Sequence, residues 1–185
     1  MIDLLQHLRG QARANRLANR RLHEALAQLS RDDFHAPRTS FFPSLAATLN
    51  HILLVDVYYL DALHRVAAME ANARAFAAAT TLGELTPRQA ASDERLMACC
   101  DALGAADLDA ELAIDRGDHV DRDLPSRVLA HLFMHQTHHR GQAHAMLSGT
   151  VVAPPQLDEF LLASDAGLRV HDLAALGWDE AKLLD

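Results

Sequence analysis

The stretch from Pro125 to Leu147, PSRVLAHLFMHQTHHRGQAHAML, constrains this chain more than any other. Pro125 suits the first position of a helix, where its missing N–H would have no intrahelical partner, and Gly149 follows the last apolar residues as a stop. The stretch therefore reads as one helix of about six turns. It holds five of the chain's 12 histidines. At roughly 100° per residue, Val128, Leu129, Leu132, His135, Gln136, His139, Ala143, Met146 and Leu147 share one broad stripe, with Arg140 and His144 beyond it. His135 and His139 are one turn apart, the spacing with which two ring nitrogens can share a metal ion. His131 with His135 is a rival pair, although His131 and His138 fall at the margin of the stripe, where water or a polar neighbour satisfies them. A lone histidine on an apolar face is usually a satisfied core residue. Two in register each need a partner or a ligand, because leaving a buried polar group without one costs about 1–3 kcal/mol.

The surroundings of that helix are predicted to be other helices. Half of the 185 residues are hydrophobic but only 5% are aromatic. Alanine and leucine dominate, and Gly and Pro are few, which favours an all-α architecture over a sheet. The length fits a single domain, residues 1–185. A formal charge of -8 argues against a general nucleic-acid binder. Arg9, Arg13, Arg16, Arg20 and Arg21 are near-helically spaced and read as a solvated helix face. No stretch approaches the ~20 apolar residues of a membrane span, and MIDLLQHLRG lacks the form of a secretory leader, so the expected location is cytoplasmic and no membrane partner is expected. The adjacent Cys99 and Cys100 give no spaced disulfide framework and fit a reducing compartment.

Along the chain, a first helix is expected from about Ile2 to Leu29. A crossing loop with Asp32, Asp33, Pro37, Ser40 and Pro43 follows, in which His35 is exposed. A second helix begins near Pro43 and runs to about Glu70. It is apolar nearly all round, so it is expected to be surrounded by other helices. His51 interrupts that environment and is the obvious source of a third nitrogen, or else a core histidine bonded to a carbonyl. Asp56 can orient a ligand or pair with an arginine. Residues 71–85 look irregular. Thr86, Pro87 and Gln89 then read as the capped start of a third helix reaching about Leu103. The DRGD turn between ELAI and HVDRDL predicts a short hairpin, with His119 on its surface. After the histidine helix, VVAPPQLDEFLLAS leads to one or two helical turns, and the tail reads as a short helix anchored by Trp178.

Three neutral imidazoles suit zinc, nickel, copper or iron and leave coordination positions open, as catalytic rather than structural sites do. No side chain stands out as a general base. The chain has no GxGxxG, P-loop, GxSxG or HExxH motif, and no glutamate stands where a carboxylate-bridged two-metal bundle needs one.

TLNHILLVD together with HLFMHQTHHRGQAHAML resembles the DinB-like family, also called DinB/YfiT-like metalloenzymes, over most of the chain. The resemblance implies a four-helix bundle of up-down-down-up character, here with short additional C-terminal helices and a small hairpin. It implies a divalent metal, zinc or nickel, held by His51, His135 and His139, with no departure from the ligand pattern. Arg140 and Gln142 belong to the matched motif without an assigned role. Relatives include thiol-dependent isomerases and S-transferases, and many are homodimers. The expectation is a metal-dependent transferase or hydrolase that activates a thiol or water, with a low-molecular-weight thiol and a small electrophile as partners. The alternative is a non-catalytic metal-binding stress or sensor protein in which the ion stabilises the bundle or a dimer.

Overall fold

Four long helices carry the fold among the described residues. A computed structural model describes residues 3–184. The long helices are α1 (Leu4–Leu26), α3 (Leu45–Leu63), α5 (Leu82–Ala102) and α7 (Pro125–Leu147). Short helices α2 (Arg31–His35), α4 (Met69–Arg74) and α6 (Ala105–Leu108) lie in the connections, and α8 (Val170–Leu176) and α9 (Glu180–Leu184) close the tail behind a 3₁₀ turn at Ala163–Leu168. Strands β1 (Leu112–Asp115) and β2 (Val120–Asp123) pair antiparallel, Leu112 opposite Asp123 and Asp115 opposite Val120. Gly117 turns this hairpin at φ 93°, and a Cβ there would stand 2.7 Å from Arg74 Nη2.

The direction of each long helix follows from its contacts. His23 meets Thr86 and Arg13 meets Asp101, so α1 and α5 are antiparallel. Asp56 meets Gln89 and Asp61 meets Arg95, so α3 and α5 are parallel. His51 meets His135 and Tyr59 packs on His131, so α3 and α7 are antiparallel. The bundle is therefore up-down-down-up, in an all-α fold with one small hairpin among the described residues.

Several boundaries differ from the sequence expectation. The second helix ends at Leu63 rather than near Glu70, because Arg65 takes a left-handed φ of 55° and the Val66 N–H closes onto the Asp61 carbonyl. The third long helix begins at Leu82, behind the N-cap Thr81, whose hydroxyl accepts from the Glu84 N–H at 3.2 Å. Thr86 is thus not a cap, and Pro87 sits inside the helix. Residues 156–162 are not helical, and the tail is broken at Gly177 into two helices.

The arginine face of α1 is not simply solvated. Arg13 is buried at 6% exposure and pairs with Asp101, Arg16 pairs with Glu94, and Arg20 and Arg21 reach Asp172. These pairs fasten α1 to α5 and to the C-terminal segment. Arg169, fully buried, holds both oxygens of Glu180 at 3.0 and 2.7 Å and ties the tail to itself. Cys99 and Cys100 are buried thiols, and burial pushes that of Cys100 up to about 12. Among the described residues no helix is long and apolar enough to cross a membrane.

The interior is layered. One apolar cluster contains Leu22, Leu26, Leu49, Ile52, Leu85 and Met146, and another contains Leu8, Leu60, Leu96, Leu129 and Leu132. Between them all four long helices send polar side chains inward: Asn15 and Asn19, Asp56, Gln89 and Asp93, Gln136 and Arg140.

Candidate metal centre

The histidines gather on the seam between α3 and α7. His51 lies in the second turn of α3, brought there by a helix start capped at Ser44, whose hydroxyl accepts from the Ala47 N–H at 3.1 Å. Its neighbour Asn50 grips the peptide of Ala79 from both sides, donating to its carbonyl at 3.0 Å and accepting from its N–H at 2.7 Å. On α7, His135 and His139 present their rings to the same seam. One nitrogen from each of the three histidines lies within 4.8 Å of the others, a grouping that can hold a metal ion. His51 Nε2 and His135 Nε2 are 3.0 Å apart, and the three ring centroids are separated by 4.4–4.9 Å.

Second interactions set which nitrogens face inward. The carbonyl oxygen Oε1 of Gln142 accepts from His139 Nδ1 at 2.8 Å, and the Gln142 amide donates to His138 Nε2 at 3.2 Å. A proton on Nδ1 leaves the lone pair of His139 on Nε2, as a metal ligand requires. Phe42, from the loop before α3, covers the cluster with its ring 4.3 Å from that of His51 and 5.5 Å from that of His139. His135 Nδ1 is buried with no hydrogen-bond partner, so packing fixes this ring.

The electrostatics favour neutral rings. Burial lowers the pKa of His135 to about 3, reinforced by His139, His51, His131 and His138. Burial and His139 likewise lower His51, and burial lowers His139 against the opposing bond from Gln142. Three neutral imidazoles with converging nitrogens are suitable donors for a divalent transition metal. Rings that are already neutral can act as ligands without first giving up a proton.

The rival pair does not form a second centre. His131 is exposed, 6.0 Å from the His135 ring and stacked edge-on against Tyr59. His138 is exposed, His144 bonds to the Pro155 carbonyl, and His119 pairs with Asp118 on the hairpin surface.

Arg140 corrects the expected stripe. It was expected beyond the apolar face, yet it is buried at 8% exposure and donates to the side-chain carbonyls of Asn15, Asn19 and Gln136. Among the described residues Asp56 makes no hydrogen bond to a histidine. Its Oδ2 accepts from Gln89 at 2.9 Å and from Gln136. Asp93 Oδ1 accepts from Asn15, Asn19 and Gln89. Burial raises Asp93 to about 7 and Asp56 well above the usual carboxylate range, while burial lowers Arg140 to about 10. Two carboxyls against one guanidinium balance when one carboxyl keeps its proton. Helix α7 therefore supplies two functions about 100° apart, histidines to the seam and Gln136 with Arg140 to the interior.

Fold and site together define a four-helix-bundle protein with a three-histidine cluster compatible with metal binding. The model of the DinB family matches residues 5–169, and the chain belongs to that family. Comparison with curated proteins gives no match.

Proposed function

We propose that His51, His135 and His139 hold one divalent ion, zinc or nickel, and that the protein is a metal-dependent enzyme acting on a thiol or water, with thiol S-transfer as the favoured reaction. The observation that carries this reading is the convergence of three imidazole nitrogens within 4.8 Å on a half-buried seam, without a fourth histidine, cysteine or carboxylate among the described residues to close the set. Bound there, the ion would supply Lewis acidity to a thiol or water at its open positions.

The protein's own groups prepare the site. Gln142 holds the His139 proton on Nδ1, and Phe42 shields the rings of His51 and His139 from water on one side. The interior layer of Asp56, Asp93 and Arg140 stiffens the α7 segment that bears the two helical histidines. Among the described residues no carboxylate is a hydrogen-bond partner of the three rings, which suits a nucleophile activated by the ion rather than by a side chain.

The test is the absorption spectrum of cobalt-substituted protein during addition of a small thiol. Entry of sulfur should intensify the visible bands and add a charge-transfer feature in the near ultraviolet. A spectrum indifferent to thiols and to pH would support the alternative, a metal-binding stress or sensor protein in which the ion only braces α3 against α7.

A further inference from the structure

A cavity neighbours the histidine cluster through the shared side chain of Gln142, and its chemistry differs from that of the cluster. It has a volume of about 310 Å³ and is lined by Arg38, Thr39, Ser40, Gln142 and Met146, among others. Gln142 is shared: it lines this cavity and accepts from His139. The loop that makes the other wall is closed on itself, because the Arg38 N–H donates to the Pro43 carbonyl at 2.8 Å. That closure carries Arg38 to the cavity and Phe42, four residues on, to the rings of His51 and His139.

Arg38 differs from most arginines of α1. Its Nη2 donates to the Asp33 carbonyl at 3.0 Å, which orients the guanidinium, but among the described residues it forms no ion pair with a carboxylate. Its Nε is buried without a partner, and Nη1 lies beside Gly149, 4.0 Å from where a Cβ would stand. A half-buried guanidinium oriented by the Asp33 carbonyl, with Nη1 left without a partner among the described residues and two hydroxyl side chains beside it in the cavity wall, is an arrangement that receives a carboxylate.

We infer that this cavity seats a carboxylate of the small molecule that reacts at the histidine cluster, with Arg38 as its anchor and Thr39 and Ser40 as neighbouring donors. The inference rests on reading the histidine cluster as the reacting centre. It narrows the substrate class to an acid-bearing thiol or an acid-bearing electrophile, because a neutral molecule would leave the guanidinium unpaired when water is displaced.

The probe is succinate, with succinamide as its uncharged counterpart, titrated into ¹⁵N-labelled, zinc-reconstituted full-length protein and into the same protein after chelation. Succinate should shift the backbone amides of Thr39, Ser40 and Gly149 in both preparations, and succinamide should not. Arg38→Gln should weaken succinate binding about tenfold or more, with zinc content unchanged, and Arg38→Lys should weaken it less because charge remains while the fork is lost. If Arg38→Gln loses its helical signal, the Arg38→Lys comparison carries the test. Equal binding by the variants and wild type, equal shifts from succinamide, or binding confined to the zinc form would overturn the inference. Binding confined to the zinc form would leave the metal reading standing, whereas Arg38-dependent binding in a protein that takes no metal would retain the cavity and remove the metal. Competition by 3-mercaptopropionate accompanied by a change in the cobalt spectrum would assign the carboxylate to the thiol, and competition without that change would assign it to the electrophile.

Discussion

His23 and His139 are both imidazoles on long helices, and their partners give them opposite uses. His23 is 5% exposed and its Nδ1 meets the Thr86 hydroxyl at 2.9 Å, and among the described residues it is outside the histidine group that could hold an ion. Burial lowers its pKa to about 4. The unfolded chain takes up this proton near pH 6.5, while the native state refuses it until about pH 4. The contribution is therefore fully present above pH 6.5 and is lost as pH falls through that window. It amounts to about 1.4 kcal/mol for each unit of the shift. Urea unfolding from pH 7 to pH 4 should show His23→Gln losing less stability than wild type over that range; parallel losses would show that His23 is not the buried neutral group described. In His139 the partner is an amide carbonyl that holds the proton on Nδ1, so the other nitrogen is left for a ligand.

Element boundaries show which signals survive tertiary packing. Helix α7 was legible at both ends, because Pro125 fits only a first turn and no later residue offers an equivalent start. The start of α5 was not. Thr86, Pro87 and Gln89 imitate a capped terminus, but Thr81 with Glu84 forms the cap, and the extra turn buries Leu85 completely. Thr81→Ala should therefore destabilise the protein by about 1 kcal/mol in urea unfolding, the usual loss for a hydroxyl cap. A change near zero would contradict this start. The end of α3 was hidden because residues 64–68, HRVAA, contain neither Gly nor Pro, and Arg65 adopts the left-handed turn instead. The three clustered histidines were legible through one-turn spacing and the upstream His51. Their supports were not: Arg38 and Phe42 belong to a loop whose contacts form only in the fold, and the Asn15–Asp93 bond joins residues 78 apart in the chain. An arginine within a helical pattern is ordinarily placed in water, so nothing local marked Arg140 as buried.

Across the whole molecule, two apolar clusters lie either side of a polar layer, and the histidine seam joins the two antiparallel helices that meet there. An ion held by His51 from α3 and by His135 and His139 from α7 would bind the native state and not the dispersed ligands of the unfolded chain. At a hundredfold excess over Kd it would add about 2.7 kcal/mol. For a chain of this size that corresponds to a rise in Tm of roughly 5–10 °C, so chelation should lower the Tm of wild type and leave His139→Ala unmoved. Elemental analysis of protein purified without a histidine tag, together with His51→Ala and His139→Ala, tests the central claim most directly. The account predicts about one zinc or nickel per wild-type chain and loss of that metal from both variants with helical content retained. Wild type that takes up no metal after reconstitution, or variants that keep a full complement, would contradict it.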